Sequence, residues 1–228
     1  MPQDDTSDSA DFFPTTPLFP LPNVVLFPRA VLPLHIFEER YKAMTRDALD
    51  GSGRIAMALL KPGWEKDYYG KPVIDPVVCV GKILAHERLA DGKYNFLLEG
   101  IARARIIREY PTEPGGYRRA DLERLAEQSA PDFQLDDQRK RLGEVLRNDL
   151  SGLPGARQFI QMLTSPLATP TVADLIAFHL LDDTLVKQQL LMDTDVRHRV
   201  ARTVEALEAI RPVTRQPSVR YPSDPSLN

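Results

Sequence analysis

Five prolines within residues 17–41 constrain what this chain can fold into more than any other feature. The stretch reads PLFPLPNVVLFPRAVLPLHIFEERY, with the prolines set among leucine, valine and phenylalanine. Each proline fixes its own φ, removes a backbone donor and biases the preceding residue towards extended structure. Such a segment is neither a helix nor a regular central strand. We expect two strands, at 24–27 and 31–36, that bend as they begin the wall of a small barrel.

The rest of the first half reads as short strands with one helix among them. Apolar residues recur at helical spacing after residue 37, and Gly51 supplies a stop signal. Asp91 and Gly92 predict a tight hairpin, and Gly100 predicts a bulge. Strand patterns occupy residues 54–60, 77–89, 94–99, 101–107 and 117–125. Short, mostly antiparallel strands with an inserted helix fit a small barrel better than a sheet of βαβ units.

The second half is helical. Five amphipathic patterns follow residue 131, and we interpret them as a compact α-bundle. Thr171 and Asp174 read as a capping box for the third of these helices, and Asp182 with Asp183 as a cap for the fourth. The predicted fold is α+β, a small β-barrel with an inserted helix followed by a C-terminal α-helical bundle. We divide the chain into a disordered arm (1–14), the barrel (15–125), the bundle (126–211) and a flexible tail (212–228).

Three blocks of this sequence resemble the N-terminal, substrate-binding domain of the Lon protease family. The first is 17–41, which fits the pattern P-L-F-P-L-x-x-x-V-L-F-P-x-x-x-L-P-L-x-I-F-E-x-R-Y. The second ends in LLEGIARAR at 97–105, and the third is ADLIAFHLLDDTLVKQQLL at 173–191. The likeness covers roughly residues 15–211. It implies a PUA-like β-barrel followed by a helical bundle that binds unfolded or partner proteins through apolar contacts.

Catalytic motifs are absent from the sequence. Lon proteases carry an ATPase module and a Ser–Lys peptidase domain after the resembling region, and this sequence has no phosphate-binding loop. Gly63 and Gly70-Lys71 are separated by six residues and followed by Pro72, where a phosphate loop needs four residues and then Ser or Thr. We therefore expect a non-enzymatic protein that needs no cofactor.

Histidine and cysteine offer no pattern for a reactive centre. The sequence contains no HExxH, CxxC or GxSxG motif. The four histidines lie on separate predicted elements and read as structural or solvated side chains: His35, His86, His179 and His198. Cys79 lies between Val78 and Val80, as a small core residue would. We expect neither a catalytic residue nor a metal site.

An aromatic cluster on the loop at 61–76 is the candidate partner-binding site. It comprises Trp64, Tyr68 and Tyr69, and aromatic side chains bury a large area at low entropic cost. The alternative is that the loop folds back and tucks these rings into the barrel. The sequence does not separate these two interpretations.

Arginines on the last long strand also allow two interpretations. Arg103 and Arg105 share one strand face with Arg108 nearby, which suggests either an anion-binding stripe or a solvated face that discourages edge pairing. We favour the solvated face. Arg40 is expected to pair with Glu99 or another barrel acid and hold the first helix down.

Charge and cysteine content limit the remaining possibilities. Residues 15–125 carry 17 Lys and Arg against 14 Asp and Glu, which is too weak an excess for a nucleic-acid surface. A single cysteine, an acidic N-terminus and no apolar run near ~20 residues indicate a cytoplasmic protein without a membrane partner. The leading hypothesis is a protein-binding module that uses an apolar groove on or between barrel and bundle. The alternatives are an RNA-binding PUA-like protein and an adaptor that delivers substrates to a separate Lon-type protease.

Overall fold

The proline-rich stretch and the segments after it form a six-stranded sheet in the computed structural model, which describes residues 11–67, 70–113 and 116–210. The elements of this half are β1 (Phe12–Leu21), β2 (Val31–Ile36), α1 (Glu39–Asp50), β3 (Arg54–Leu59), β4 (Val77–Arg88), β5 (Tyr94–Glu109) and β6 (Arg118–Arg124). The helix α1 is inserted between β2 and β3, as the sequence predicts.

The strand order in the sheet is β2-β5-β4-β3-β1-β6. The last strand, β6, also pairs with β5. Five strands are thus paired in a ring, in which β1 and β3 are parallel and the other ladders antiparallel. Small residues let the ring curve tightly, and its interior holds mostly alanine and valine: Ala56, Ala58, Val78, Val80, Ala102, Ala104 and Ala120, with Phe13, Leu18 and Leu122.

The strand β5 is long enough to pair with three other strands, β2, β4 and β6. Its second half closes the ring against β6, while its first half lies between β2 and β4. Gly100 marks the change, since the register with β4 shifts there by one residue, as expected for the predicted bulge. The hairpin between β4 and β5 turns at Gly92, with φ +79°, which confirms the turn predicted from Asp91-Gly92.

The first predicted strand is wrong. Residues 24–27 form a buried loop, and the strand is β1, which contains Pro14, Pro17 and Pro20. The loop packs closely against β5 at Gly100, which has no side chain. A Cβ at this position would lie 2.1 Å from the carbonyl oxygen of Phe27. β1 also begins at Phe12, inside the segment expected to be disordered.

Five helices follow the strands in the described part of the chain: α2 (Asp136–Asn148), α3 (Ala156–Leu163), α4 (Thr169–Leu180), α5 (Thr184–Met192) and α6 (Val196–Glu208). Asp183 caps α5, because its carboxylate accepts hydrogen bonds from the backbone N–H groups of Leu185 and Val186. The predicted capping box on α4 is wrong. α4 begins at Thr169, so Thr171 lies inside the helix, and Asp174 turns towards two arginines instead.

Barrel and bundle share one apolar core. A single cluster of buried side chains joins Phe27, Met44 and Leu98 of the first half with Leu146 and Ile176 of the second. The side chain of Gln188 in α5 adds a buried hydrogen bond to the carbonyl of Val77 in β4, at 2.9 Å. The α+β architecture predicted from the sequence is confirmed, and the domain limits at 125 and 211 stay predictions. Within the described ranges no helix is both long and apolar enough to cross a bilayer.

Candidate functional site

Three strands expose one face to solvent, which we call the outer face. Side chains alternate along a strand, so Leu34, Phe96 and Leu98 point into the core while their neighbours point away from it. The outer face consists of Val31, Pro33 and His35 from β2, Asn95, Leu97 and Glu99 from β5, and Lys82, Ala85 and Glu87 from β4.

The middle row of the outer face is apolar. Pro33 lies opposite Leu97, and Leu97 lies opposite Ala85, so the three side chains form a continuous band across the strands. Leu97 is 40% exposed. Leu84, the extra residue where β4 shifts register, is 53% exposed beside this row. A shallow groove of about 430 Å³ follows these strands.

A polar row borders this apolar band. The Nδ1 atom of His35 lies 2.7 Å from the amide oxygen of Asn95, and Glu87 faces Asn95 from the next strand. The ring of His35 also stacks on Phe37, with 6.2 Å between the ring centroids. Phe37 is 61% exposed, so it extends the apolar surface beyond the end of β2. The outer face therefore offers apolar contact area with hydrogen-bonding groups at its border.

The free edge of β2 is poorly suited to pairing with another strand. Gly100 donates its N–H to the carbonyl of Ala30, so alternate residues from Leu32 onward direct their backbone groups to β5. Val31, Pro33 and His35 consequently face the free edge, and proline supplies no N–H there. A bound peptide would lose a central hydrogen bond at this edge, so the face is the better docking surface.

The predicted aromatic site is described only in part. Trp64 opens a short 3₁₀-helix, Trp64–Asp67, and is half-buried, whereas Tyr68 and Tyr69 lie outside the described residues. The loop continues into Gly70–Pro72, which lines a cavity of about 470 Å³ with Tyr41 and Tyr117. The role of Trp64, Tyr68 and Tyr69 in partner binding stays a prediction.

Two of the basic side chains that line that cavity, Lys71 and Arg118, pair with the same carboxylate, Glu109. Arg118 Nε donates to Glu109 Oε1 at 2.6 Å, and Lys71 Nζ lies 3.3 Å from Glu109 Oε2. Partial burial acts to raise the pKa of Glu109, but the hydrogen bonds and charges of Arg118 and Lys71 lower it overall. Glu109 therefore provides the counter-charge for both of these cations.

The solvated strand face expected for the arginines is wrong for Arg103. This side chain is only 3% exposed, because helices α4 to α6 cover that part of β5. Arg105 is exposed, and Arg108 lies at the surface with its Nη2 atom 2.7 Å from Asp121 Oδ2. The alternation of side chains along β5 was predicted correctly, but the sequence did not show that the bundle covers one part of it.

Arg103 belongs to a cluster of four charges, which we call the arginine clasp: the buried Arg103, Arg199 and Asp174 and the exposed Glu127. Asp174 Oδ1 accepts from Arg103 Nη2 at 2.7 Å and from Arg199 Nε at 3.2 Å. Arg103 Nε also donates to the carbonyl of Leu191. The clasp thus joins β5 to α4, α5 and α6.

Opposite charges in the clasp keep Arg103 protonated. Burial acts to lower the pKa of Arg103, but attraction to Asp174 and Glu127 and the hydrogen bond to Asp174 raise it overall. Arg199 is 1% exposed and donates from Nη1 to the carbonyl of Asp193 at 2.8 Å. Because each guanidinium nitrogen of Arg103 and Arg199 faces an acceptor, the burial of these two arginines with Asp174 is compensated.

Arg40 does not pair with Glu99. Its Nη2 atom lies 3.1 Å from Glu38 Oε2, and its guanidinium lies over the ring of Tyr41 at 4.6 Å. Glu99 is instead 3.9 Å from Arg29. Arg40 therefore contacts neighbours in sequence at the start of α1, and the expected ion pair with Glu99 is wrong.

Nucleophilic and metal-binding groups are dispersed in the described part of the chain. Burial raises the pKa of the Cys79 thiol to about 12, so it stays protonated at neutral pH. His179 is partly covered by Phe159 and Phe178, and this burial lowers its pKa. No three His, Cys, Asp or Glu side chains in the described ranges are placed to hold a metal ion.

Comparison with known proteins identifies the family to which this sequence belongs. The sequence model of the ATP-dependent protease La (LON) substrate-binding domain matches residues 15–209. This chain belongs to that family. The resemblance drawn from the three sequence blocks is thereby confirmed.

Relatives within the Lon family are much longer than this chain. Lon protease of Desulfosudis oleivorans is 23% identical over 209 residues, which is 91% of this chain and 25% of the relative. Lon protease 2 of Sorangium cellulosum is 28% identical over 190 residues, covering 82% of this chain and 23% of the relative. The chain spans about a quarter of the length of these curated relatives.

Solved structures share the fold. The N-terminal domain of a Mycobacterium avium complex Lon protease has a TM-score of 0.67 at 19% identity and covers 86% of this chain and 99% of its own. A Lon N-terminal domain protein from Xanthomonas campestris has a TM-score of 0.60 at 22% identity, covering 88% and 100%. At these identities the likeness establishes the shared architecture.

Proposed function

We propose that this chain is a non-catalytic module that binds exposed apolar segments of unfolded or partner proteins on the outer face. The observation that carries the proposal is the apolar row of Pro33, Leu97 and Ala85, which is solvent-exposed although it belongs to a well-packed sheet. Membership of a substrate-binding domain family supports it. A polypeptide with apolar side chains would bury this row and use the polar border to orient its backbone.

Leu97 is the residue whose contribution can be estimated. Burying a leucine side chain completely stabilises a complex by about 1.5–3 kcal/mol. Leu97 is 40% exposed, so burying this exposed part of the side chain in a complex contributes about 1 kcal/mol. Replacing Leu97 with serine should therefore weaken binding roughly fivefold, since 1.4 kcal/mol corresponds to a factor of ten.

The test measures binding of a reduced, permanently unfolded protein to the intact chain by fluorescence anisotropy. Leu97→Ser is compared with Ile107→Ser, which removes a somewhat more exposed apolar side chain from the same strand but outside the outer face. We expect weaker binding only for Leu97→Ser. Equal losses for both variants would show that binding does not use the outer face.

Trp64 remains a proposed contributor, together with Tyr68 and Tyr69. Trp64 is the only tryptophan in the chain, so its fluorescence reports on this loop alone. If the loop contacts the bound polypeptide, the emission shifts to shorter wavelength on saturation because the indole loses water. An unchanged spectrum at saturation removes the loop from the binding surface and leaves the outer face intact.

RNA binding receives little support from the charges. Three arginines of the barrel, Arg103, Arg108 and Arg118, are paired with carboxylates, which reduces the positive charge available to phosphates.

The adaptor hypothesis adds a second partner, a Lon-type protease, to the same protein-binding function. The test is whether a Lon-type protease is retained on the immobilised chain. If the Leu97→Ser variant retains the protease equally well, the protease contacts a surface other than the outer face.

A further inference from the structure

A cavity of about 340 Å³ lies between barrel and bundle, and its charged lining carries more positive than negative groups. The charged lining residues are Arg29, Arg103, Arg124, Arg199, Glu127 and Asp174. The lining therefore contains four arginines and two carboxylates. We call this cavity the arginine cleft, and the arginine clasp forms its floor.

The two carboxylates of the clasp differ in exposure. The side chain of Asp174 is 6% exposed, whereas that of Glu127 is 38% exposed. Glu127 binds both arginines through one oxygen, with Oε1 2.9 Å from Arg103 Nη1 and 2.8 Å from Arg199 Nη2. It lies in the irregular segment between β6 and α2. Asp174 is therefore the fixed partner of the arginines, and Glu127 is a carboxylate inserted from the solvent side.

The mouth of the arginine cleft attracts anions. The side chain of Arg29 is 73% exposed, and its closest carboxylate, Glu99, is 3.9 Å away. Its backbone is fixed, because φ is +67° and its N–H donates to the carbonyl of Gly100 at 2.7 Å. Arg124 lines the same opening. A carboxylate that approaches the floor passes these two guanidinium groups first.

We propose that the arginine cleft is a carboxylate-binding site, in which an acidic side chain of a polypeptide replaces Glu127 between Arg103 and Arg199. Arginine guanidinium groups bind carboxylates through paired N–H donors in a fixed geometry. The exchange substitutes one carboxylate for another, so the buried arginines keep a counter-charge throughout. The exposed guanidinium of Arg29 supplies the additional attraction that favours a polyanionic segment over a single acid.

Such an acidic segment can come from this chain itself or from a separate protein. The carbonyl of Asp11 accepts a hydrogen bond from the N–H of Arg124 at 2.7 Å, so Asp11 lies beside the cleft. Asp4, Asp5 and Asp8 precede this point in the sequence. The other source is an acidic stretch of a separate protein.

The experiment titrates the full chain with the capped peptide acetyl-Glu₄-amide at low ionic strength, with acetyl-Gln₄-amide as the neutral probe. Glu127→Gln keeps the side-chain shape and removes the internal competitor, so binding of the acidic peptide should tighten about tenfold. Glu123→Gln is the matched control, because Glu123 is exposed on β6, does not line the cleft and changes the net charge equally. Its affinity should stay within about twofold of the original chain.

Arg29→Gln tests the same site through a residue that is not part of the packed core. We expect it to weaken binding of the acidic peptide about fivefold, and this test stands even if Glu127→Gln fails to fold. Equal affinities for Glu127→Gln and Glu123→Gln, or an unchanged affinity for Arg29→Gln, would overturn the proposal. Inorganic phosphate that competes as well as the peptide would overturn the assignment to a polypeptide.

A variant with Asp4→Asn, Asp5→Asn and Asp8→Asn separates the two sources. Tighter binding of the acidic peptide by this variant identifies the chain's own N-terminus as a competing occupant. Unchanged binding assigns the cleft to an acidic segment of another protein. Leu97→Ser should leave the affinity for acetyl-Glu₄-amide unchanged, so failure of the outer-face proposal and failure of this one are distinguishable.

Discussion

Replacing Asp174 with asparagine should destabilise the fold more than any other isosteric acid-to-amide change at the charged groups described above. Asp174 is 4% exposed, and its Oδ1 atom accepts from Arg103 at 2.7 Å and from Arg199 at 3.2 Å. Removing the charge leaves two buried guanidinium groups with Glu127 as their single counter-charge. Breaking a buried ion pair from one side costs about 3–5 kcal/mol. Two charge-assisted hydrogen bonds at about 1.5–3 kcal/mol each give a similar figure.

Urea denaturation followed by circular dichroism measures this cost directly. The control is Glu208→Gln, which neutralises an exposed carboxylate paired with Arg141 at 2.6 Å, and surface pairs contribute only about 0–1 kcal/mol. We expect Asp174→Asn to lower the free energy of unfolding by at least about 3 kcal/mol relative to this control. A loss below about 1 kcal/mol would refute the argument that the arginine clasp joins barrel to bundle.

Three further changes test other parts of the structure. Gly100→Ala should lower the free energy of unfolding by more than about 2 kcal/mol, since a Cβ would meet the Phe27 carbonyl at 2.1 Å; an unchanged urea midpoint would contradict this packing. Asp183→Ala should cost about 0.5–2 kcal/mol by removing the α5 cap, measured in the same way, and no loss would mean that the cap is dispensable. Stability should fall as the pH rises above 9, because the Cys79 thiol ionises near 9 when unfolded and at about 12 when folded. Cys79→Ala should show a smaller fall between pH 8 and 10, whereas an identical pH dependence would contradict the burial of the thiol.

Local patterns predicted elements whose residues depend on their own neighbours. The Asp91-Gly92 hairpin, the Asp183 cap and the apolar stripe of α6 follow from turn chemistry, capping and helical periodicity. These signals are contained within a few residues, so they can be read without knowing the rest of the fold. The proline spacing likewise indicated a bent, barrel-like start.

Long-range packing explains what could not be predicted. Residues 24–27 look like a strand, but the loop they form fits a space left by Gly100, more than 70 residues away. Arg103 reads as a solvated strand residue until α4 and α6 bring Asp174 and Arg199 onto it. The outer face was not predicted for a related reason. The sequence identified the strands, but it did not show which strands lie next to one another in the sheet. The alternation within VLPLHI at 31–36 was the available signal.

Site-specific crosslinking tests the central claim most directly. The chain has one cysteine, Cys79, which is fully buried, so a cysteine introduced at Leu97 can be labelled selectively with a photoreactive maleimide. The account predicts that the probe at position 97 crosslinks to an unfolded protein and that the same probe at position 107 does not. Equal crosslinking from both positions, or none from position 97 under conditions where binding is detected, would contradict it.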